Sequence, residues 1–406
     1  MTKNLMLFDK RLKSHHDSNS LINKYISGKK ADKDIFEAML REIPDDRRKA
    51  IYVHTPYCDK ICSFCNLNRK QIDGSLDSYA QYIADEFDKY GQTEYFKKGI
   101  FDVVFFGGGT PTVYKPHQLE IILESIKRNV TLAEDYEFTF ETTLHNLTEE
   151  KLEVMMKYGV NRLSVGIQTF SDEGRKFYNR TYGKEETVER LKKLKAFFKG
   201  DVCVDIIYNF PEQKIEDVVE DAKIVKKLEI SSASFYSLMV HEGSKLSKDI
   251  EAEKVKMEED MKRDYLLYQH FVDEMLRGDD YKYIKVRNTG GDTFPIGVGA
   301  GGSVHGIGVY RMNKDMSFYS QQTEYHERFS KLSGIMQFPV ISKESLRNIL
   351  KEEELKYFAE KMEEYEEKGL VKENDDNYTL TTEGVFWGNN LSGDVIIYVM
   401  EKIFNK

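Results

Sequence analysis

The chain has little of what stiffens or cross-links a protein. Among 406 residues there are seven prolines, four cysteines and one tryptophan. Few prolines, with abundant Lys, Glu, Ile and Tyr, favour a strongly helical chain. Four cysteines, three of them crowded together, make a poor disulfide framework, because clustered thiols cannot all pair. No run reaches the roughly 18 apolar residues of a membrane span. Residues 1–20 are polar and lack the apolar segment of a signal peptide. A cytoplasmic protein without a membrane span is expected. The formal net charge of −9 argues against a general nucleic-acid binder. With 40% hydrophobic and 32% charged residues, the composition is that of a soluble globular protein.

The scarce cysteines are placed unevenly. Cys58, Cys62 and Cys65 lie within eight residues, spaced C-x3-C-x2-C, and Cys203 is far away. Three thiolates on one loop can bind three irons of a [4Fe–4S] cube and leave the fourth iron without a protein ligand. A zinc site is the alternative, with His54 or Cys203 as fourth ligand. Zinc usually takes separated C-x2-C pairs, which this spacing is not.

From residue 50 onward β-rich runs alternate with helical ones. Strands are expected at 50–54, 100–106, 136–141, 161–167, 202–208 and 232–238. Helices are expected at 76–90, 118–128, 148–158, 185–198, 215–228 and 251–276. Six βα units predict a parallel sheet wound right-handedly, with helices outside. Eight units close a barrel, so six predict an α/β fold of the open, partial (β/α)6 kind. Chemistry in such folds sits in the loops after the strand C-termini. The cysteine loop, Gly107-Gly108-Gly109-Thr110-Pro111, Glu141 and Gln168 all fall at such ends, and Asp205 lies within the fifth strand.

Four segments are expected: a helical extension over 1–49, the barrel over 50–280, a Gly-rich substrate-proximal region over 281–336, and a winged-helix-like α+β module over 337–406. The first contains a helix near 32–40. The third holds Thr289-Gly290-Gly291-Asp292 and a run of glycines from Gly297 to Gly308. Such glycine density lets backbone approach a ligand closely, and an irregular loop or hairpin turn is the alternative. The last segment reads as two helices, a hairpin and a final helix at 394–404. Its acidic helices point to a structural or substrate-covering role rather than DNA binding.

An amino acid's amino and carboxylate groups can chelate an open cluster iron, and S-adenosylmethionine carries both. An electron from the reduced cluster would then break a carbon–sulfur bond and leave a carbon radical. Gly107, Gly108 and Gly109 would expose backbone to the cofactor. Glu141 would meet its ammonium or a ribose. Gln168, Arg180 and Asp205 would fix a carboxylate, an amine and hydroxyls. Each has a plainer reading alone, such as a surface charge for Arg180 or a helix cap for Asp205.

Tyr52-x-His54-x-Pro56-x-Cys58-x3-Cys62-x-Phe64-Cys65 followed by Gly107-Gly108-Gly109-Thr110-Pro111-Thr112 resembles the radical S-adenosylmethionine enzymes of the oxygen-independent coproporphyrinogen oxidase type. Asn161 to Phe170 and Val204 to Pro211 extend the resemblance, which covers roughly residues 50–245. It implies a [4Fe–4S] cluster on Cys58, Cys62 and Cys65, and room for two S-adenosylmethionine molecules. Tyr52, Gly108 and Glu141 match positions serving the first. Phe64, Gly109, Thr110, Gln168, Arg180 and Asp205 match positions serving the second.

Three branches compete within that superfamily: coproporphyrinogen oxidases, haem chaperones, and anaerobic haem-utilisation enzymes. The last resemble radical methyltransferases and open haem to a methylated linear tetrapyrrole (anaerobilin) with iron release. Gly299-Ala300-Gly301-Gly302, the segment Met312 to Tyr319, and Leu380 to Leu391 look like this third branch. The resemblance then implies a haem or other tetrapyrrole substrate and a flavodoxin or ferredoxin electron donor. Asn66, Asn209-Phe210-Pro211 and Thr142-Thr143-Leu144-His145 depart from the family pattern. His241 and His305 are candidate haem ligands, if both flank loops at the C-terminal end of the sheet.

Overall fold

In the computed structural model the described residues are 7–14, 17, 20, 26, 28–257, 259–278, 281–282, 291–336 and 338–404. The chain divides into two compact units. One is Lys30–Glu258 with Gly291–Ser320. The other is Met1–Lys29, Glu259–Gly290 and Gln321–Lys406. Among the described residues no helix is long and apolar enough to cross a membrane.

The first unit is built on six parallel strands that pair in sequence order. They are β1 (Lys49–Thr55), β2 (Ile100–Gly108), β3 (Thr131–Thr142), β4 (Arg162–Gln168), β5 (Asp201–Tyr208) and β6 (Ser232–Ser237). Helix α1 (Lys33–Met39) precedes them, capped by Asp32. Between them run α2 (Leu76–Tyr90), α3 (Pro116–Asn129), α4 (Glu149–Lys157), α5 (Lys184–Phe197) and α6 (Ile215–Lys227). The expected open (β/α)6 architecture is therefore present. Side chains alternate across a strand, so the register sorts residues between two faces. Ile51, Val53, Val104, Phe106, Phe138, Phe140, Leu163 and Val165 are buried on one face. The apolar stripes of the helices, such as Ile83 and Phe87, are buried too.

The other face carries several of the candidate residues. Tyr52 pairs with Phe105, Phe105 with Thr139, and Glu141 with Ser164. Ser164 pairs with Cys203, and Gly166 with Asp205. Tyr52, Glu141, Ser164, Cys203 and Asp205 thus share a single face, brought there from four strands.

The Gly-rich stretch is not an irregular loop. It extends this sheet beyond β1 through β7 (Asp292–Ile296), β8 (Gly301–Val304), β9 (Ile307–Arg311) and β10 (Ser317–Gln321). β7 lies parallel to β1, and β8 and β9 follow antiparallel. Gly302 shows why glycine is needed: a Cβ there would lie 2.1 Å from Thr293 O. Thr289 and Gly290 lie outside the described residues.

Two expectations are corrected here. The helix expected over 251–276 forms only from Met261, as α8 (Met261–Met275), and a separate α7 (Lys245–Glu251) ends where it was expected to begin. Glu253 takes a left-handed φ of 56°, which ends the first, and Asp260 caps the second by accepting from Arg263 N. His305 also sits at the wrong end of the sheet for a haem ligand near the cysteine loop. It lies in the β8–β9 turn, and its backbone N–H donates to Asp292 at 2.9 Å. Asp292 aligns with Lys49 at the start of β1, whereas the cysteine loop follows the end of β1.

In the second unit, β11 (Val340–Ser342), β12 (Val371–Glu373) and β13 (Asn377–Leu380) form an antiparallel sheet in the order β11-β13-β12. Helices Lys343–Arg347, Glu352–Glu367 and Gly388–Phe404 accompany it. Arg11 belongs with this unit, donating to Phe386 O at 2.9 Å and pairing with Asp264 at 3.1 Å.

Candidate functional site

The cysteine loop leaves β1 without proline or glycine between Cys58 and Cys62, so its shape depends on outside bonds. Several neighbouring loops supply them. Gly109 N donates to Thr55 O at 2.7 Å, and Thr110 N to Tyr57 O at 2.8 Å. Asn179 Nδ2 donates to Ile61 O at 3.0 Å, and Ser63 Oγ to Phe177 O at 2.9 Å. Leu246 N donates to Ser63 O at 2.8 Å.

The loop forms one wall of a cavity of about 180 Å³. Cys58, Cys62, Cys65 and Phe64 line it. Gly108, Gly109 and Thr110 enter from the end of β2, and Glu141, Gln168 and Asp205 from the next strands. Arg180 completes the lining from beyond β4. Of the residues matched to cofactor positions, Tyr52 is not part of the lining. It lies on the same sheet face, stacks on Phe105 at 6.2 Å, and contacts His54 Nδ1 through its hydroxyl at 3.0 Å. Cys203 shares that face and is buried, but it does not line the cavity.

Local contacts are dense. Arg180 donates to Cys62 Sγ at 3.1 Å and to Gly166 O. Thr110 Oγ1 donates to Cys58 Sγ at 3.6 Å. Gly108 N donates to Glu141 Oε2 at 3.2 Å. Gly108 has a φ of +108°, and a Cβ there would lie 2.6 Å from the His54 ring. Gln168 holds a left-handed φ of 72°, and its Oε1 is buried without a hydrogen-bond partner.

Burial sets the electrostatics. It pushes the Cys58 thiol up to about 11 and raises Cys65 as well. Burial, with Asp205 beside it, lifts Glu141 to about 8, and burial raises Asp205. Both carboxylates open into the cavity yet are ringed by protein. Tyr52 is raised by burial and by the Glu141 charge. Burial opposes the shift at Asp59, but hydrogen bonds from His145 and Asn146 draw its carboxyl down to about 2.

The residues fit an iron–sulfur cluster better than zinc. Among the described residues no three His, Cys, Asp or Glu side chains converge on a point that would hold a single ion. A cube needs three thiolates at three separate corners, whereas zinc needs four donors around one point. His54 has both ring nitrogens engaged, with Tyr52 and with Asn68 O at 2.9 Å. The raised thiols need a nearby cation to become thiolates, which iron supplies. The unpartnered Gln168 Oε1 and the cavity-lining Gly108–Gly109 turn fit a polar organic ligand beside the cluster.

Residues 52–225 match the family model of the Radical SAM superfamily and are a radical S-adenosylmethionine domain. Its cofactors are a [4Fe–4S] cluster and S-adenosylmethionine. Anaerobilin synthase from Escherichia coli O157:H7 is 24% identical over 389 residues, covering 88% of this chain and 85% of that protein. Heme chaperone HemW from Lactococcus lactis is 27% identical over 273 residues, covering 63% of this chain and 70% of HemW. The mitochondrial radical S-adenosyl methionine domain-containing protein 1 of Bos taurus is 32% identical over 205 residues, but the match spans only 46% of its length. Among solved structures, coproporphyrinogen III oxidase (HemN) from Escherichia coli superposes with a TM-score of 0.74 at 18% identity. That match covers 93% of this chain and 98% of HemN, and it shows a shared fold.

Residue-by-residue reading of the sequence missed Asp59, Asn146 and Asn179 as parts of the site. His145 was visible only as a departure from the family pattern. They are joined by hydrogen bonds between the cysteine loop and other loops, and no local spacing announces a bond between residues 59 and 145.

Proposed function

We propose that this radical S-adenosylmethionine enzyme acts on a tetrapyrrole, degrading haem anaerobically by radical methyl transfer and ring opening, with iron released. The observation that carries the proposal is the extent of the likeness to anaerobilin synthase, 88% of this chain and 85% of that protein, well past residue 225 where the radical domain match ends. The proposed setting is cytoplasmic, with a flavodoxin or ferredoxin as electron donor.

In this proposal Cys58, Cys62 and Cys65 hold three irons. The cluster, when bound, supplies the electron that cleaves S-adenosylmethionine to a carbon radical. Tyr52, Gly108 and Glu141 serve the molecule on the cluster. Phe64, Gly109, Thr110, Gln168, Arg180 and Asp205 serve a second. Glu141, lifted to about 8 by burial, gains from an incoming ammonium, which favours its charged form. Arg180, already bonded to Cys62 Sγ, brings a guanidinium to the cavity that can meet a carboxylate.

The test is anaerobic incubation of reconstituted protein with haem, S-adenosylmethionine and a reductant. The expected outcome is loss of the Soret band, release of iron and a product mass of a methylated linear tetrapyrrole. A persistent Soret band with stoichiometric haem binding would instead support a chaperone, the reading favoured by the HemW match. Carbon dioxide release from coproporphyrinogen would support an oxidase.

A further inference from the structure

We infer that Asp59, His145 and Asn146 form a clasp that sets the spacing of Cys58 and Cys62, with His145 and Asn146 acting on the cluster site through Asp59. Asp59 directly follows Cys58, and its carboxylate is turned onto the β3–α4 loop. His145 Nε2 pairs with Asp59 Oδ2, and Asn146 Nδ2 donates to Oδ1 at 3.1 Å.

The partners are themselves fixed. His145 Nδ1 contacts Thr143 Oγ1 at 3.2 Å, and Asn146 Nδ2 also donates to that oxygen at 2.9 Å. Lys151 Nζ donates to Asn146 O at 2.9 Å and to Thr112 O at 2.7 Å. The Tyr182 ring meets the imidazole edge-on at 6.5 Å. The clasp therefore ties the cysteine wall of the cavity to the wall that carries Glu141. His145 lines the cavity, yet both its nitrogens are engaged by the protein, so it positions rather than exchanges protons with a substrate.

Outer partners of metal ligands orient those ligands, and removing one typically weakens a site on the order of 10–100-fold. The inference concerns the cluster and holds for any substrate. Its test uses the full chain with His145→Ala, His145→Gln and Asn146→Ala, each reconstituted anaerobically. Three quantities are read: iron per chain, the EPR spectrum of the reduced cluster, and the rate of iron loss to a chelator. His145→Ala is expected to lose iron on the order of tenfold faster, with an altered EPR line shape. Its apo-protein should keep the parent's thermal midpoint. Gln carries an amide donor near the Nε2 position and is expected to restore slow loss and the parent spectrum. If His145→Ala fails to fold, Asn146→Ala, which removes one of the two side-chain partners of the Asp59 carboxylate, is expected to show an intermediate rate. Parent rates and spectra in both alanine variants, or a Gln variant as labile as Ala, would overturn the clasp. Failure of the haem assay alone would leave these outcomes unchanged.

Discussion

At the scale of single residues, the cavity depends on side chains that are absent as much as on those present. Gly108 combines a φ of +108° with a Cβ position 2.6 Å from the His54 ring. Alanine there would strain the backbone and push His54 off Tyr52 and Asn68. Gly108→Ala is expected to lower stability by about 1–3 kcal/mol, read from urea midpoints, and to weaken S-adenosylmethionine binding by calorimetry. An unchanged midpoint and affinity would refute the close packing. The cysteines and the glycine turn were legible from spacing alone. The partners of Asp59 were not, because they meet only after two βα loops are brought together.

At the scale of elements, β7 is attached to β1 by more than its ladder. Asp292, 2% exposed, accepts from Tyr95 Oη at 2.8 Å and from His305 N at 2.9 Å, and faces Arg47 at 3.6 Å. Asp292→Ala would take this acceptor from the buried Tyr95 hydroxyl and from His305 N. A loss of about 3 kcal/mol is expected, with hydrogen exchange rising first in β7 to β9. Protection lost uniformly across the sheet would argue against a local attachment. The six parallel strands were readable because each is a short apolar run bounded by turns. β7 to β10 were not, because they are short and interrupted by glycine turns, and their strand state comes from pairing one after another outward from the edge of β1.

At the scale of the whole molecule, buried carboxylates shape the dependence of stability on pH. Asp221 accepts from Phe170 N at 2.8 Å and Thr169 Oγ1 at 2.9 Å, and burial lifts it to about 7. An unfolded aspartate titrates near pH 4, so between about pH 4 and 7 the folded chain keeps a proton that the unfolded chain has lost. Stability due to this group therefore falls as pH rises through that window and is level above it. Asp221→Asn is expected to flatten the denaturation midpoint between about pH 4.5 and 7 relative to the parent. Parallel curves for parent and variant would show that Asp221 does not titrate there. Glu141 and Asp205 shift in the same direction, so the comparison with the variant isolates the Asp221 contribution.

By itself the sequence determined the candidate cluster ligands and the six parallel strands, because thiol spacing and hydrophobic periodicity are local properties of the chain. It also placed the candidate residues at the ends of strands. Only the tertiary structure decided that Glu141, Gln168, Arg180 and Asp205 open into one cavity with the cysteines, that Tyr52 stands beside it, and that His305 lies at the opposite end. Those outcomes follow from strand register and loop-to-loop hydrogen bonds between residues far apart in the chain, which no local pattern encodes.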